Sequence, residues 1–187
     1  KAYAEMIRDL SGNNPVKREQ HLNIIIEETD RLTQIVNDML DLSKLESGAQ
    51  KLDYSTFDIA QCMAEIVHRY EGVSERMGYQ IHLTLDEPCM VRCDESKIDR
   101  VIGNLINNAI NYTSKEDKQV FVTQRNLPQC VRIEVRDTGD GIEEDKIKLI
   151  FDKYYRSENH KREVVGTGLG LSIVKEILKM HNYNYGV

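Results

Sequence analysis

No run of apolar residues in this 187-residue sequence comes near the roughly 18 consecutive positions that a bilayer-spanning helix requires. Nearly apolar stretches such as residues 168–174 are far shorter, and the first residues do not have the pattern of a signal peptide. The sequence therefore reads as a soluble, cytoplasmic domain, and any membrane anchor of a parent protein is expected upstream of it. An excess of basic residues is missing too. The 25 Lys and Arg stand against 31 Asp and Glu, giving a net charge of −6 spread along the chain. That composition argues against non-specific nucleic-acid binding through a basic face, so any anionic ligand must be held by local features. Cysteine is sparse. Of the four, Cys89 and Cys93 are the closest pair, and no nearby second pair or His cluster completes a zinc-like spacing. Isolated reduced thiols are expected, with Cys62 on a helix stripe and Cys130 opening a strand, both as core residues.

Gly and Pro are absent from residues 17–46, where Leu22, Ile25, Ile26, Thr29, Leu32, Val36, Met39 and Leu40 recur at helical spacing. This predicts one long amphipathic helix. Ile35, Leu42 and Leu45 widen its stripe, as expected of a helix that meets more than one neighbour in a bundle. Residues 1–10 read as the end of a preceding helix, and Ser11-Gly12-Asn13-Asn14-Pro15 breaks it. Residues 1–50 are therefore predicted to form a partial antiparallel hairpin that associates with a partner.

Ser47-Gly48 ends the long helix, and short strands and helices then alternate, which places a domain boundary near Lys51 and a second domain over residues 51–187. Residues 54–57 form a short strand candidate. Asp58, with Gln61 three residues on, can cap a helix whose buried face runs through Ile59, Met63, Ile66, Val67, Tyr70 and Val73 to a stop at Gly78. Ile81, Leu83 and Leu85 alternate as a strand, and Met90-Val91 makes a shorter one. Asp94 caps a helix carrying Ile98, Val101, Ile102, Leu105 and Ala109, and two further strands, residues 120–122 and 131–135, are joined through Asn126-Leu127-Pro128. The order is mixed α and β.

Four patterns carry chemistry. Asn104, Asn108 and Asn111 share one face of the helix opened by Asp94. They form either a solvated stripe, which Asn107 and Asn111 would also suit, or a set of amide oxygens for a metal and phosphates. An alternating strand then runs into Asp137-Thr138-Gly139-Asp140-Gly141, which is either a turn or a carboxylate placed to meet a ligand amino group, with glycines that admit a flat ring. Gly166-Thr167-Gly168-Leu169-Gly170-Leu171 precedes a helix with Ile173, Val174, Ile177 and Leu178 on its apolar face. Free amides and the positive helix end suit phosphate there, with a flexible hinge as the alternative. No preceding strand of a βαβ unit and no Gly-Lys-Ser/Thr ending are present, which disfavours the dinucleotide and Walker loops. Between these glycine clusters, the aromatic Phe151-Asp152-Lys153-Tyr154-Tyr155-Arg156 leads into the polar run 157–163, with Arg156, Lys161 and Arg162 as cations; it reads as a lid or a solvated loop.

Taken in order, Asn104-Leu-Ile-Asn-Asn108-Ala-Ile-Asn-Tyr112-Thr113, Asp137-Thr-Gly-Asp-Gly141-Ile, Phe151-Asp-Lys-Tyr-Tyr-Arg156 and Gly166-Thr-Gly-Leu-Gly170-Leu resemble the asparagine, first glycine, phenylalanine and second glycine boxes of sensor histidine kinases. Arg31-Leu-Thr-Gln-Ile-Val-Asn-Asp-Met-Leu-Asp-Leu-Ser-Lys-Leu-Glu46 resembles their second dimerisation helix. The resemblance implies an α+β fold: a two-layer α/β sandwich of the gyrase and histidine-kinase ATPase type, preceded by the partial hairpin. It implies ATP and Mg²⁺ as cofactors, homodimerisation through the hairpin, and a response regulator receiver domain as partner.

Residue by residue, it implies Asn108 as the Mg²⁺ ligand, Asp137 as acceptor for the adenine amino group, and amides around Gly168 and Gly170 for phosphates. Asn111, Tyr112, Gly139, Gly141, Lys153, Gly166, Thr167 and Leu169 complete the implied nucleotide contacts. Arg156 would reach the γ-phosphate, and Asn104 stands where gyrase-type relatives carry a water-activating Glu, which fits transfer to histidine rather than hydrolysis. Departures are Asn111 in place of a frequent Lys, Tyr154 in place of a frequent Phe, and Asn182-Tyr183 where relatives continue with two glycines and further strands. A strand of the sheet is therefore expected to be missing. The family's acceptor His would precede residue 1 by about three helical turns. None of His21, His68, His82, His160 and His181 has its acidic neighbour and downstream Arg-Thr-Pro. A serine kinase or ATPase of the same fold and a non-catalytic scaffold are the alternatives; the hairpin and Asn104 weigh against the first, the intact boxes against the second.

Overall fold

The computed structural model describes residues 2–9, 14–113, 116–155 and 167–187. They form two compact units, residues 1–41 and 42–187. The first holds helix α1 (Ala2–Asp9) and most of α2 (Pro15–Glu46). Pro15 is the first helical residue of α2, where its missing N–H costs no helical bond, and the Lys17 N–H donates to Asn14 Oδ1 at 3.1 Å. Leu22, Ile26, Leu32, Val36, Met39 and Leu40 are all exposed, so the apolar stripe of this helix faces outward. The last residues of α2 belong to the second unit, where Leu42 and Leu45 are buried.

The second unit is a layer of strands covered by helices. Strands β2 (Gln80–Leu85), β4 (Gln119–Leu127) and β5 (Cys130–Asp137) form a sheet in the order β2-β4-β5, with β2 parallel and β5 antiparallel to β4. Strands β1 (Ser55–Asp58) and β3 (Met90–Cys93) pair antiparallel by themselves. Helices α3 (Ile59–His68), α4 (Glu71–Met77), α5 (Glu95–Tyr112) and α6 (Gly170–Met180) complete it. Apolar residues of α3 and α5, such as Met63, Ile66, Ile102 and Ile106, close on Val120 and Val122 of β4, which are fully buried. Each of these side chains contributes about 1.5–3 kcal/mol by leaving water. A second cluster joins Leu42, Leu45, Val101 of α5, and Leu169, Ile173, Val174 and Ile177 at and along α6.

Four sequence expectations are corrected. The helix read through Val73 breaks after His68, because the Arg69 and Tyr70 N–H groups tighten onto Ile66 O and Val67 O, and α4 starts afresh at Glu71. Asp58 does cap α3, accepting from Ala60 N at 3.0 Å, but Gln61 turns away to donate to Glu65, so the reciprocal bond of a capping box is not made. The β4–β5 turn is Pro128-Gln129, since Asn126 and Leu127 still pair with Val131 and Cys130. Cys130 is exposed rather than in the core, being at the tip of that hairpin. Cys62 is buried as expected, and burial pushes its thiol up to about 11, which suits an inert packing residue.

Candidate functional site

Helix α5 sets the site. Asp94 caps it, its Oδ1 accepting from the Lys97 N–H at 3.1 Å and from Ser96 Oγ at 2.8 Å, while Oδ2 holds the Asp53 N–H at 3.0 Å. Burial raises the Asp94 carboxyl, but these hydrogen bonds outweigh it and leave the group below its ordinary range. One turn after another along α5, Asn104 and Asn108 are half-buried, whereas Asn111 is exposed. The asparagine stripe therefore divides into two residues set against the domain and one in solvent.

Three junctions bring the sequence patterns together. Asn104 Nδ2 donates to Gly170 O at 3.4 Å, which links the middle of α5 to the first residue of α6. At the C-terminal end of α5, Thr113 Oγ1 lies 3.1 Å from Thr138 Oγ1, and a Cβ added to Gly139 would come within 2.1 Å of the Tyr112 carbonyl oxygen. Gly139 is thus required by its own chain at the point where β5 meets α5. The Gly139 N–H donates back to Asp137 Oδ1 at 2.7 Å, fixing the carboxylate while leaving its other oxygen for a further donor. The Tyr154 N–H donates to Gly168 O at 3.0 Å, joining the phenylalanine pattern to the second glycine pattern.

The glycines play different parts. Gly141 and Gly168 have φ of 75° and 70°, and Gly141 has nothing within 4 Å of an added Cβ, so it opens space beside Asp137. Thr167 Oγ1 accepts from the Leu169 N–H at 3.2 Å, and Ser172 Oγ donates to Leu169 O at 2.8 Å. These bonds shape the approach to α6, with Leu169 itself fully buried. Lys153 is engaged elsewhere, in an ion pair of 2.6 Å with Glu46. Tyr154 has positive φ and is 58% exposed, so its hydroxyl needs no buried partner, and Phe151 packs edge-on against Tyr185 with ring centroids 5.0 Å apart. Arg156, Gly166 and the predicted lid over 157–165, with His160, Lys161 and Arg162, lie outside the described residues.

Sequence reasoning did not find the Thr113–Thr138 contact or the buried His181, whose Nε2 accepts from the Asp94 N–H at 3.2 Å. Both threonines stand at the edges of recognised patterns; His181 had no signal beyond its position on a helix. Two cavities, of about 590 and 480 Å³, lie elsewhere: one between α3, α4 and β2, the other beside Asp94, Asp99 and Arg69. Neither is lined by the converging residues. Among the described residues, no group of three or more His, Cys, Asp and Glu side chains is placed to hold a metal. No helix among them is long and apolar enough to cross a membrane.

Comparison with known proteins accords with this layout. Residues 93–186 match the family described as histidine kinase-, DNA gyrase B-, and HSP90-like ATPase, and residues 1–48 match the His kinase A (phospho-acceptor) domain. The sensor protein kinase WalK of Staphylococcus saprophyticus is 33% identical over 184 residues, covering 97% of this chain but 30% of that protein. Full-length ShkA in complex with AMPPNP superposes with a TM-score of 0.76 at 24% identity, over 95% of this chain and 37% of that one. Histidine kinase ThkA in complex with response regulator protein TrrA does so with a TM-score of 0.65 at 22% identity, over 83% and 46%. At those identities the two structures establish the fold. With both family matches in sequence order, the chain belongs to the histidine kinase-, DNA gyrase B- and HSP90-like ATPase family, as the catalytic region of a sensor histidine kinase.

Proposed function

We propose that this chain binds Mg²⁺-ATP and transfers the γ-phosphoryl group to a histidine on a dimerisation hairpin, for relay to an aspartate of a response regulator. The observation that carries the reading is the convergence at α5: Asn104 on Gly170, and Tyr112 and Thr113 on Gly139 and Thr138. Three of the four sequence patterns meet there, and the Tyr154 N–H on Gly168 O ties the fourth to the second glycine pattern, as one ligand with a base at one end and phosphates at the other requires. Asp137, with one oxygen held by Gly139, accepts from the adenine amino group, and Gly141 leaves room for the ring. Asn108 presents an amide oxygen, the ligand type magnesium takes. The backbone around Gly168 and Gly170, at the start of α6, is the place for the phosphates, with Asn111, Tyr112, Lys153, Gly166, Thr167 and Leu169 around the nucleotide and Arg156 at the γ-phosphate.

When bound, Mg²⁺-ATP supplies an activated phosphoryl group, and the chain's own task is to orient it and neutralise its charge. Asn104 cannot act as a base toward water, and its amide is already tied to Gly170, so it holds α6 against α5. The working division is a dimerisation hairpin over residues 1–50 and a catalytic domain over 51–187. The exposed Leu22, Ile26, Leu32 and Val36 suit a second hairpin in a homodimer. ShkA binding AMPPNP and ThkA binding a response regulator support the same assignment here.

Calorimetry with ATP tests the site. Asp137→Asn should abolish binding with the fold intact by circular dichroism, and Asn108→Ala should weaken only the Mg²⁺-dependent part. Unchanged affinity in Asp137→Asn removes the adenine assignment. In radiolabelled ATP, the chain should label a separately supplied acceptor hairpin with acid-labile phosphate, slowly and in proportion to hairpin concentration, and should not label itself. Acid-labile label on the chain alone, lost in His21→Ala, would instead place the acceptor in α2.

A further inference from the structure

Helices α5 and α6 run antiparallel and are tied at two places. One tie is Asn104 to Gly170. The other lies at their opposite ends, where the Asp94 N–H donates to Nε2 of His181 at 3.2 Å. His181 is 5% exposed, and its Nδ1 lies 2.8 Å from Ile177 O. A carbonyl oxygen can only accept and a backbone N–H can only donate, so the ring has one self-consistent form: neutral, with the proton on Nδ1. Between the two ties Val101, Ile173, Val174 and Ile177 are buried in one cluster, so α6 is packed on α5 up to the residue that ends it.

We propose that His181 is a positioning residue for the nucleotide: its Nδ1–H form clamps α6 to the capped start of α5, and loss of the clamp weakens nucleotide binding. The inference rests on the nucleotide assignment above. A side chain that cannot accept at the place of Nε2 leaves the Asp94 N–H without its acceptor, and a bond that cannot be remade in a buried site is lost. Beside the Asp94 N–H, the ring meets Tyr54 edge-on at 5.9 Å and the tilted ring of Tyr183 at 5.2 Å. Cys93 is hydrogen-bonded to Tyr183, and the Arg92 guanidinium lies over the far side of Tyr54. The Asp94 carboxylate is committed to Asp53, Ser96 and Lys97, so the backbone N–H is the group of Asp94 that meets the ring. Lys179 of α6 is paired with Glu176.

The test uses the whole 187-residue chain. Imidazole nitrogen-15 spectra at pH 8 should show one ring in the Nδ1–H tautomer, absent from His181→Phe. At pH 8, calorimetric ATP affinity with Mg²⁺ should be about fivefold weaker for His181→Phe, the equivalent of one neutral hydrogen bond. His181→Gln, whose side-chain oxygen can accept from Asp94, should recover most of the loss. An Nε2–H tautomer at pH 8, or equal ATP affinity in wild type, His181→Phe and His181→Gln, overturns the proposal. If His181→Phe does not fold, His181→Leu takes its place in the same comparison. Absence of ATP binding in every chain would sink the nucleotide assignment, whereas the tautomer spectrum and the exchange protection of the Asp94 amide judge the clamp without nucleotide.

Discussion

Gly139→Ala is the most severe single-atom test of the site. The added Cβ would lie 2.1 Å from the Tyr112 carbonyl oxygen and 2.7 Å from Asp137 Oδ1, where ordinary contacts begin near 3.4 Å. Relief requires the end of α5 and the end of β5 to separate by more than an ångström, and both obstacles resist. The Tyr112 carbonyl belongs to the backbone, and moving Asp137 sacrifices the bond from the Gly139 N–H. Overpacking of this kind costs about 1–3 kcal/mol, and the lost hydrogen bond adds about 1 kcal/mol, so about 3 kcal/mol is expected. Gly141→Ala is the control. Its Cβ meets nothing within 4 Å, and only the φ of 75° is penalised, at about 1–2 kcal/mol. Urea denaturation of both variants, followed by ATP titration of the folded protein, gives the comparison. Equal stability losses in the two variants, or wild-type ATP affinity in Gly139→Ala, would refute the close α5–β5 junction as the element that places Asp137.

Three further outcomes follow from the same packing. Asp94→Ala should cost about 1–2 kcal/mol through loss of the α5 cap, measured by urea denaturation. Because the folded carboxyl is lowered, its contribution is present at neutral pH and lost as pH falls through that lowered value, so wild type should lose stability at acid pH more steeply than Asp94→Ala. Leu45→Ala, which empties a buried site against α6, should cost about 2–5 kcal/mol by thermal or urea unfolding, and a loss below about 1 kcal/mol would contradict the second core cluster. Glu46→Gln releases Lys153 from a half-exposed pair worth at most about 1 kcal/mol, so ATP affinity should rise by no more than about fivefold, and only at low salt; no change in Lys153→Ala would show that Lys153 does not reach the nucleotide.

The sequence by itself determined most of the elements and pointed to the candidate site. An unbroken apolar period over residues 17–46, Asp94 before a second such period, and alternation at Ile81, Leu83 and Leu85 are local signals, because each reflects one residue's neighbours along the same helix or strand. The four ordered patterns likewise singled out Asn108, Asp137 and Gly168 as candidates. Tertiary structure decided which residues touch one another there. Gly139 is glycine because the Tyr112 carbonyl, 27 positions earlier, occupies the space a side chain would need. The α3–α4 break comes with Tyr70, whose hydroxyl donates to Gly103 O across the domain at 3.2 Å. Lys153 meets Glu46, 107 positions away, and His181 closes on Asp94, a residue 87 positions away. Such contacts leave no periodicity in the chain, since the partners are set by how helices settle on the sheet and not by spacing along the sequence.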